Sequence, residues 1–287
     1  MKNTSGSVPT TQTRSIVQRQ KLQVHSLLPL LVGRRFLLSA ARACMRRGSA
    51  PGCDGITWRQ YRQDLHTHLD ALSLRLQDNT WQPSPVKQIS VQTFTGKTVP
   101  VGIPTVEDRI VHRAMRNCIE PILETYAFLD FVSGYRLGRN RLTAVRQAMN
   151  YLNEGRTWIA DIDIQDAAGH VTIPEVIEWL ACWISDGSFL KRVGRALTGL
   201  PNPLYPGSGL SPLLLNLRLV PIDDAIKHLC VVRFADNYTI FCHSLIEAQD
   251  AFEAAQQAMS AHNLAPAPQK SRIRQNANPE DLFLIGG

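Results

Sequence analysis

The run Cys230-Val231-Val232-Arg233-Phe234-Ala235-Asp236-Asn237-Tyr238-Thr239-Ile240-Phe241-Cys242 sets a single carboxylate between two apolar, β-branched and aromatic segments. Strand-forming residues on both sides of a short polar break predict a β-hairpin with Asp236 held at its tip. Taken alone, such an acid is as readily a plain turn residue, because Asp bonds the backbone of its own turn. A second strand-like run, Trp158-Ile159-Ala160-Asp161-Ile162-Asp163-Ile164, also carries an acid at its end. Antiparallel packing of the two runs brings Asp163 and Asp236 together. Two carboxylates converging from separate strands are the donor set of a magnesium site that handles phosphates. Alternation along the strand puts Asp161 on the same face as Asp163 and leaves its role open.

The elements that must position these acids are marked by caps and periodicity. Thr105 with Asp108, Thr172 with Glu175 and Ser244 with Glu247 each place a hydroxyl and an acid three residues apart, ahead of apolar runs. This spacing predicts helices near 106–125, 174–184 and 245–262. Ile110, Ala114, Cys118 and Ile122 recur every four residues, and Ala248, Phe252, Ala255 and Met259 recur at helical spacing, so both sets are core faces. Strand-like runs lie at 86–92, 97–103, 157–164, 230–234, 237–242 and 282–285, with Thr95-Gly96 as the turn of the first hairpin. Helical and strand signals alternating in this way predict an α+β fold whose antiparallel sheet packs on helices.

A chain of 287 residues with 44% hydrophobic content buries one large core or two modest ones, which excludes disordered and fibrous classes. A formal charge of +7 points to a polyanionic partner. Cys44, Cys53, Cys118, Cys182, Cys230 and Cys242 form no C-x-x-C pair and sit in apolar runs, as reduced core thiols do. Residues 1–20 lack an apolar signal core, and the run Leu27 to Ala41 is split by Gly33-Arg34-Arg35. The reading is a cytoplasmic protein with no membrane partner. The histidines show no metal-ligand spacing, and Ser208 and Ser211 lack the His and Asp of a hydrolase triad.

Six segments then follow one another in a familiar order. They are Ser49-Ala50-Pro51-Gly52-Cys53-Asp54-Gly55-Ile56-Thr57, the run Val101 to Val111, Gly134-Tyr135-Arg136-Leu137-Gly138-Arg139-Asn140, Gly207-Ser208 with Leu210 to Leu214 and Asn216, Phe234-Ala235-Asp236-Asn237, and Lys270. From about residue 36 onward the chain resembles the reverse transcriptases encoded by group II introns and their relatives, which include bacterial defence enzymes. The resemblance implies a right-hand polymerase: residues 1–25 a flexible N-terminal segment, 26–155 the fingers and 156–287 the palm. Thumb, maturase and endonuclease regions are expected to be absent. It implies RNA-directed DNA synthesis with two Mg2+ ions, or Mn2+ in their place, held by Asp163, the Ile164 carbonyl, Asp236 and Asn237. Lys270 is then the general acid. Lys97, Asp166, Ala168, Pro206, Gly207 and Phe234 surround the nucleotide, and Arg109, Arg136, Arg139, Arg141 and Arg146 hold RNA template and primer. A structured noncoding RNA, or a partner subunit in place of the thumb, completes the implied set.

The sequence departs from that family at the pocket. Asn237 replaces the second acid of the Tyr-x-Asp-Asp box, and an amide oxygen ligates magnesium more weakly than a carboxylate. Ala168 stands where an aromatic residue excludes a 2′-hydroxyl, so dNTPs and rNTPs are expected to be poorly distinguished. Val91 and Val99 replace the Lys and Arg that hold the triphosphate, leaving Lys87 or Lys97 to take over. Pro206 replaces a Gln, and Gly169 an Asp. Two readings follow: a working polymerase, or a catalytically silent protein that binds RNA or a partner.

Overall fold

The computed structural model describes residues 23–275 apart from 47, 49, 93–95 and 97. Ser49, Thr95, Lys97 and the strand-like run 282–285 therefore lie outside the described residues. The described chain opens on helices α1 (Leu28–Val32), α2 (Arg34–Met45), α3 (Trp58–Gln63) and α4 (Leu65–Gln77). Gly33, in extended backbone, separates α1 from α2 inside the apolar run of residues 27–41. A two-stranded sheet, β1 (Lys87–Gln92) and β2 (Thr98–Ile103), precedes the long helix α5 (Val106–Tyr126). After α6 (Arg141–Asn153) come β3 (Trp158–Asp163), α7 (Ile173–Ala181), α8 (Gly187–Leu197) and α9 (Ser211–Ile226). The hairpin β4 (Val231–Phe234) and β5 (Asn237–Cys242), then α10 (Leu245–Ser260) and β6 (Arg272–Gln275), finish it.

Capping chemistry starts α5, α7 and α10 where the sequence places them. The hydroxyls of Thr105, Thr172 and Ser244 accept from the backbone N–H of Asp108, Glu175 and Glu247. The helices α7 and α10 end a few residues earlier than periodicity predicts, at Ala181 and Ser260.

One antiparallel sheet, in the order β4-β5-β3-β6, carries the acids, and helices cover both its faces. Ala160, Ile162, Tyr238 and Ile240 pack on α9 and α10, while Ile159, Val232 and Phe241 pack on Ala144 and Ala148 of α6. Both faces of β3 and β5 are covered, although Asp161, Asp163, Asn237 and Thr239 interrupt their apolar residues. A second core gathers Leu37 of α2, Leu72 of α4, Ile110 and Ala114 of α5 and Phe189 of α8. The helix α9 is apolar around much of its circumference and bridges both cores. Among the described residues no helix is long and apolar enough to cross a membrane.

The cysteines divide. Cys118 and Cys242 are buried, but Cys53 is exposed, a correction to its reading as a core thiol that follows from its place in the turn before α3. In the first turn of α5, Asp108 is buried and accepts from Thr105 Oγ1 at 2.7 Å and Ser84 N at 3.1 Å. Burial pushes its carboxyl up to about 6. With the folded value above the unfolded one, its stabilising contribution is full below pH 3.8 and is lost as pH rises through about 6. The melting temperature of Asp108→Asn relative to the parent is expected to climb by several degrees between pH 4 and 7, roughly 2–4 °C per kcal/mol. A flat difference in thermal melts across that range would contradict this.

Candidate active site

The β3–β5 register sets Asp163 directly across from Asn237, and Ile164 N donates to the Asp236 carbonyl at 3.2 Å. Asp163 and Asp236 therefore meet at one end of the sheet. Phe234 and Asn237 pair across the β4–β5 turn, and Ala235 within it takes a left-handed φ of 56°. Two contacts fix this turn. Gly134 approaches so closely that a Cβ on it would stand 2.2 Å from Ala235 N, so only glycine fits. From below, Arg233 Nη1 donates to the Ala235 carbonyl at 2.7 Å.

Arg233 is fully buried, and its guanidinium forks onto Asp223 of α9 at 2.8 and 2.6 Å. Tyr238 Oη donates to the same carboxylate at 2.9 Å, and Arg233 Nη1 also reaches Asn216 Oδ1 at 2.9 Å. Asn216 Nδ2 in turn donates to the Gly134 carbonyl at 2.8 Å. This network ties the hairpin, α9 and the Gly134 segment into one support beneath Asp236. The sequence signal for it was an arginine inside an apolar strand and an acid inside an apolar helix.

Burial raises the Asp236 carboxyl, and the neighbouring Asp163 charge raises it further, with Lys270 opposing. Lys270 Nζ lies 3.0 and 3.1 Å from the two Asp163 oxygens. Asn237 Nδ2 donates to Asp236 Oδ1 at 3.3 Å. Among the described residues no three His, Cys, Asp or Glu side chains cluster as a metal site. Two carboxylates, one amide and nearby carbonyls nonetheless suit a hard cation that keeps water and substrate phosphate in its shell. The mutual repulsion of the acids is the unmet charge such an ion neutralises. Asp161 turns elsewhere: its Oδ2 pairs with Arg274 of β6 at 2.7 Å.

The remaining nucleotide-pocket candidates form two groups. Asp166, exposed at φ 48°, starts the turn after β3, where its carbonyl accepts from Gly169 N at 2.9 Å. A Cβ at Gly169 would meet only the Asp166 carboxylate, the movable end of an exposed side chain. The Ala168 carbonyl accepts from Asn202 Nδ2 at 2.9 Å, and Arg218 braces the carbonyls of Ala167 and Gly169 at 2.6 and 3.0 Å. Pro206 and Gly207 instead join β2: Gly102 N donates to the Pro206 carbonyl at 2.8 Å. Gly207, at φ 107°, would set a Cβ 1.9 Å from Gly102 O.

The arginines differ from their common reading. Arg136 is corrected: its guanidinium is buried against Glu124 at 2.7 Å and the carbonyls of Leu129 and Val132 at 2.6 and 3.0 Å, so it braces the fold and faces no phosphate. Arg139 pairs with the exposed Asp130 at 2.6 Å. Arg109 lies 5.3 Å over the Trp58 ring and donates to the Ala50 carbonyl at 2.8 Å. With Arg113, Arg116, Gly102 and Gly207 it lines a cavity of about 280 Å³. Arg141 lies 5.6 Å over the half-buried Phe234 ring, and Arg146 is exposed on α6.

Residues 86–280 match the profile of a family described as Reverse transcriptase (RNA-dependent DNA polymerase). The chain is similar to Protein YkfC of Escherichia coli (strain K12), at 29% identity over 218 residues, covering 70% of this chain and 57% of that protein. It is also similar to the group II intron-encoded protein LtrA of Lactococcus lactis subsp. cremoris, at 28% identity over 165 residues, covering 54% of this chain and 27% of that protein. The chain thus spans only part of the length of both relatives.

Proposed function

Because the chain belongs to the reverse transcriptase (RNA-dependent DNA polymerase) family, of the group II intron type, we propose that it copies RNA into DNA at Asp163 and Asp236. The observation that carries this reading is the β3–β5 register, which sets Asp163 across from Asn237 and beside Asp236. On this reading the fingers run over 26–155 and the palm over 156–287.

Asp163 and Asp236, with the Asn237 amide oxygen and the Ile164 carbonyl, are the residues to hold Mg2+ or Mn2+. When bound, such ions supply a more acidic primer 3′-hydroxyl and neutralise the triphosphate. The protein's own part is placement. The Arg233 network and Gly134 hold the turn so that Asp236 does not move as charge shifts. Lys270, which bonds Asp163 at 3.0 Å, would be freed by a cation held at that carboxylate and would then serve as the acid for departing pyrophosphate. Arg109, Arg139, Arg141 and Arg146 line the approach of template and primer. Ala168 leaves the sugar edge open.

Purified protein given an RNA template, a DNA primer and Mg2+ or Mn2+ is expected to extend the primer with dNTPs and, to a measurable degree, with rNTPs. The Ala168→Phe variant should suppress rNTP use by roughly 10–100-fold, the discrimination that a steric contact of this size supplies. No product with either nucleotide and either ion would leave the protein a binder of RNA and sink the polymerase reading.

A further inference from the structure

The cavity of about 280 Å³ beside β2 holds positive charge that the protein itself does not balance. Arg109, Arg113 and Arg116 follow one another at spacings of four and three, which sets them on one face of α5, and all three line the cavity. No acid lines it. Arg116 is engaged by Glu120 at 2.5 Å and by the carbonyls of Tyr135 and Gly209 at 3.1 and 3.4 Å. Arg109 rests on Trp58 and the Ala50 carbonyl, and burial works against its charge. Arg113 is half-buried and, among the described residues, has no hydrogen-bond or ion-pair partner. A guanidinium withdrawn from water with no anion beside it costs the fold free energy. The rest of the lining suits an anion too. Gly207 and Gly209 contribute to it, and among the described residues their amide N–H groups donate to no acceptor. At Gly209 neither strain nor crowding calls for glycine, since its φ is not left-handed and a Cβ there would meet only His112 Cβ, at 3.7 Å. What the missing side chain leaves is room.

A guanidinium and bare amides are the donor set for phosphate. Pockets for whole small molecules run to roughly 300–1,000 Å³, so this cavity admits a phosphate group and leaves outside what carries it. We propose that it holds one backbone phosphate of a bound RNA strand, with Arg113 and the Gly207 and Gly209 amides as donors and Arg109 adding charge. That the strand is the one being copied rests on the polymerase reading; that a strand phosphate binds does not. Arg116 ties the cavity to the acids. It bonds the Tyr135 carbonyl, and the preceding Gly134 abuts Ala235 in the turn that bears Asp236. A phosphate held here fixes the register of the strand against that turn and does so for any base, because phosphate contacts position a strand without reading it.

The test uses the full chain and a fluorescein-labelled single-stranded RNA, with binding followed by anisotropy across a salt series in EDTA, so that neither metal nor reaction enters. Arg113→Gln removes an unpaired charge, so its melting temperature should hold or rise. Its affinity for RNA is expected to fall roughly three- to tenfold, and its log-log salt slope by about 0.7, the share of one phosphate contact on a single strand. Arg113→Lys, which keeps the charge, should recover the slope. The contact is then located with strands in which one linkage at a time is a neutral methylphosphonate. One linkage should weaken the parent and leave Arg113→Gln indifferent. Equal affinity and slope in parent and Arg113→Gln, or no linkage that separates them, overturns the proposal. Unchanged RNA binding with a raised KM for dNTP would put the nucleotide's triphosphate in the cavity and overturns it as well. A parent that shows the one sensitive linkage yet extends no primer supports the phosphate site and sinks the polymerase reading alone.

Discussion

Replacing Asp163 and Asp236 together by alanine is expected to abolish metal-dependent primer extension, a loss on the order of 10³-fold or more, since several kcal/mol of charge stabilisation go with them. The fold should survive it. Asp236 carries a carboxyl already raised by burial and by the Asp163 charge, so its ionised form costs the native state free energy. Asp163 pairs with a Lys270 side chain that is 61% exposed, and a pair in that setting adds little to stability. A melting temperature equal to or above the parent's, together with lost extension, is the expected pair of readings. Extension that persists in the double variant removes both residues from the chemistry.

The second large effect lies beneath the site. Arg233→Leu should destabilise the protein by about 3–5 kcal/mol, because the Asp223 carboxylate is left buried without its cation. At roughly 2–4 °C per kcal/mol for a domain of this size, the melting temperature falls on the order of 10 °C. Asp223→Leu does the same from the other side by stranding the guanidinium. The double variant Arg233→Leu, Asp223→Leu should recover much of the loss, because the buried charges leave together. Thermal or urea unfolding of the three variants checks this. Single variants that each cost under about 1 kcal/mol would mean the pair is solvated and does not support the turn.

Local chemistry made much of the fold legible in the sequence. Caps act within three residues, so Thr105, Thr172 and Ser244 announced their helices. The β4–β5 hairpin and the meeting of Asp163 with Asp236 followed from apolar runs and antiparallel pairing. What stayed hidden was the direction of long charged side chains. Arg136 and Arg139 share one motif, yet one guanidinium is buried on Glu124 while the other pairs at the surface with Asp130. No spacing rule separates them, because the difference lies in what packs over each. The strand β6 was missed for a related reason. An edge strand needs backbone pairing on one side only, and its Arg272-Ile273-Arg274-Gln275 run owes its place to Asp161 across the ladder. That ion pair also gives Asp161 a structural place, which alternation alone left open.

The contact of Gly134 with Ala235 has a mechanical meaning. Where side chains lie between two parts of a protein, their rotamers act as springs and absorb small displacements. Here main chain rests on main chain, with a would-be Cβ only 2.2 Å from the opposing nitrogen. No spring lies between them. The turn bearing Asp236 is therefore set like a blade against a hard stop, and any shift of the 134–136 segment reaches the carboxylate undamped.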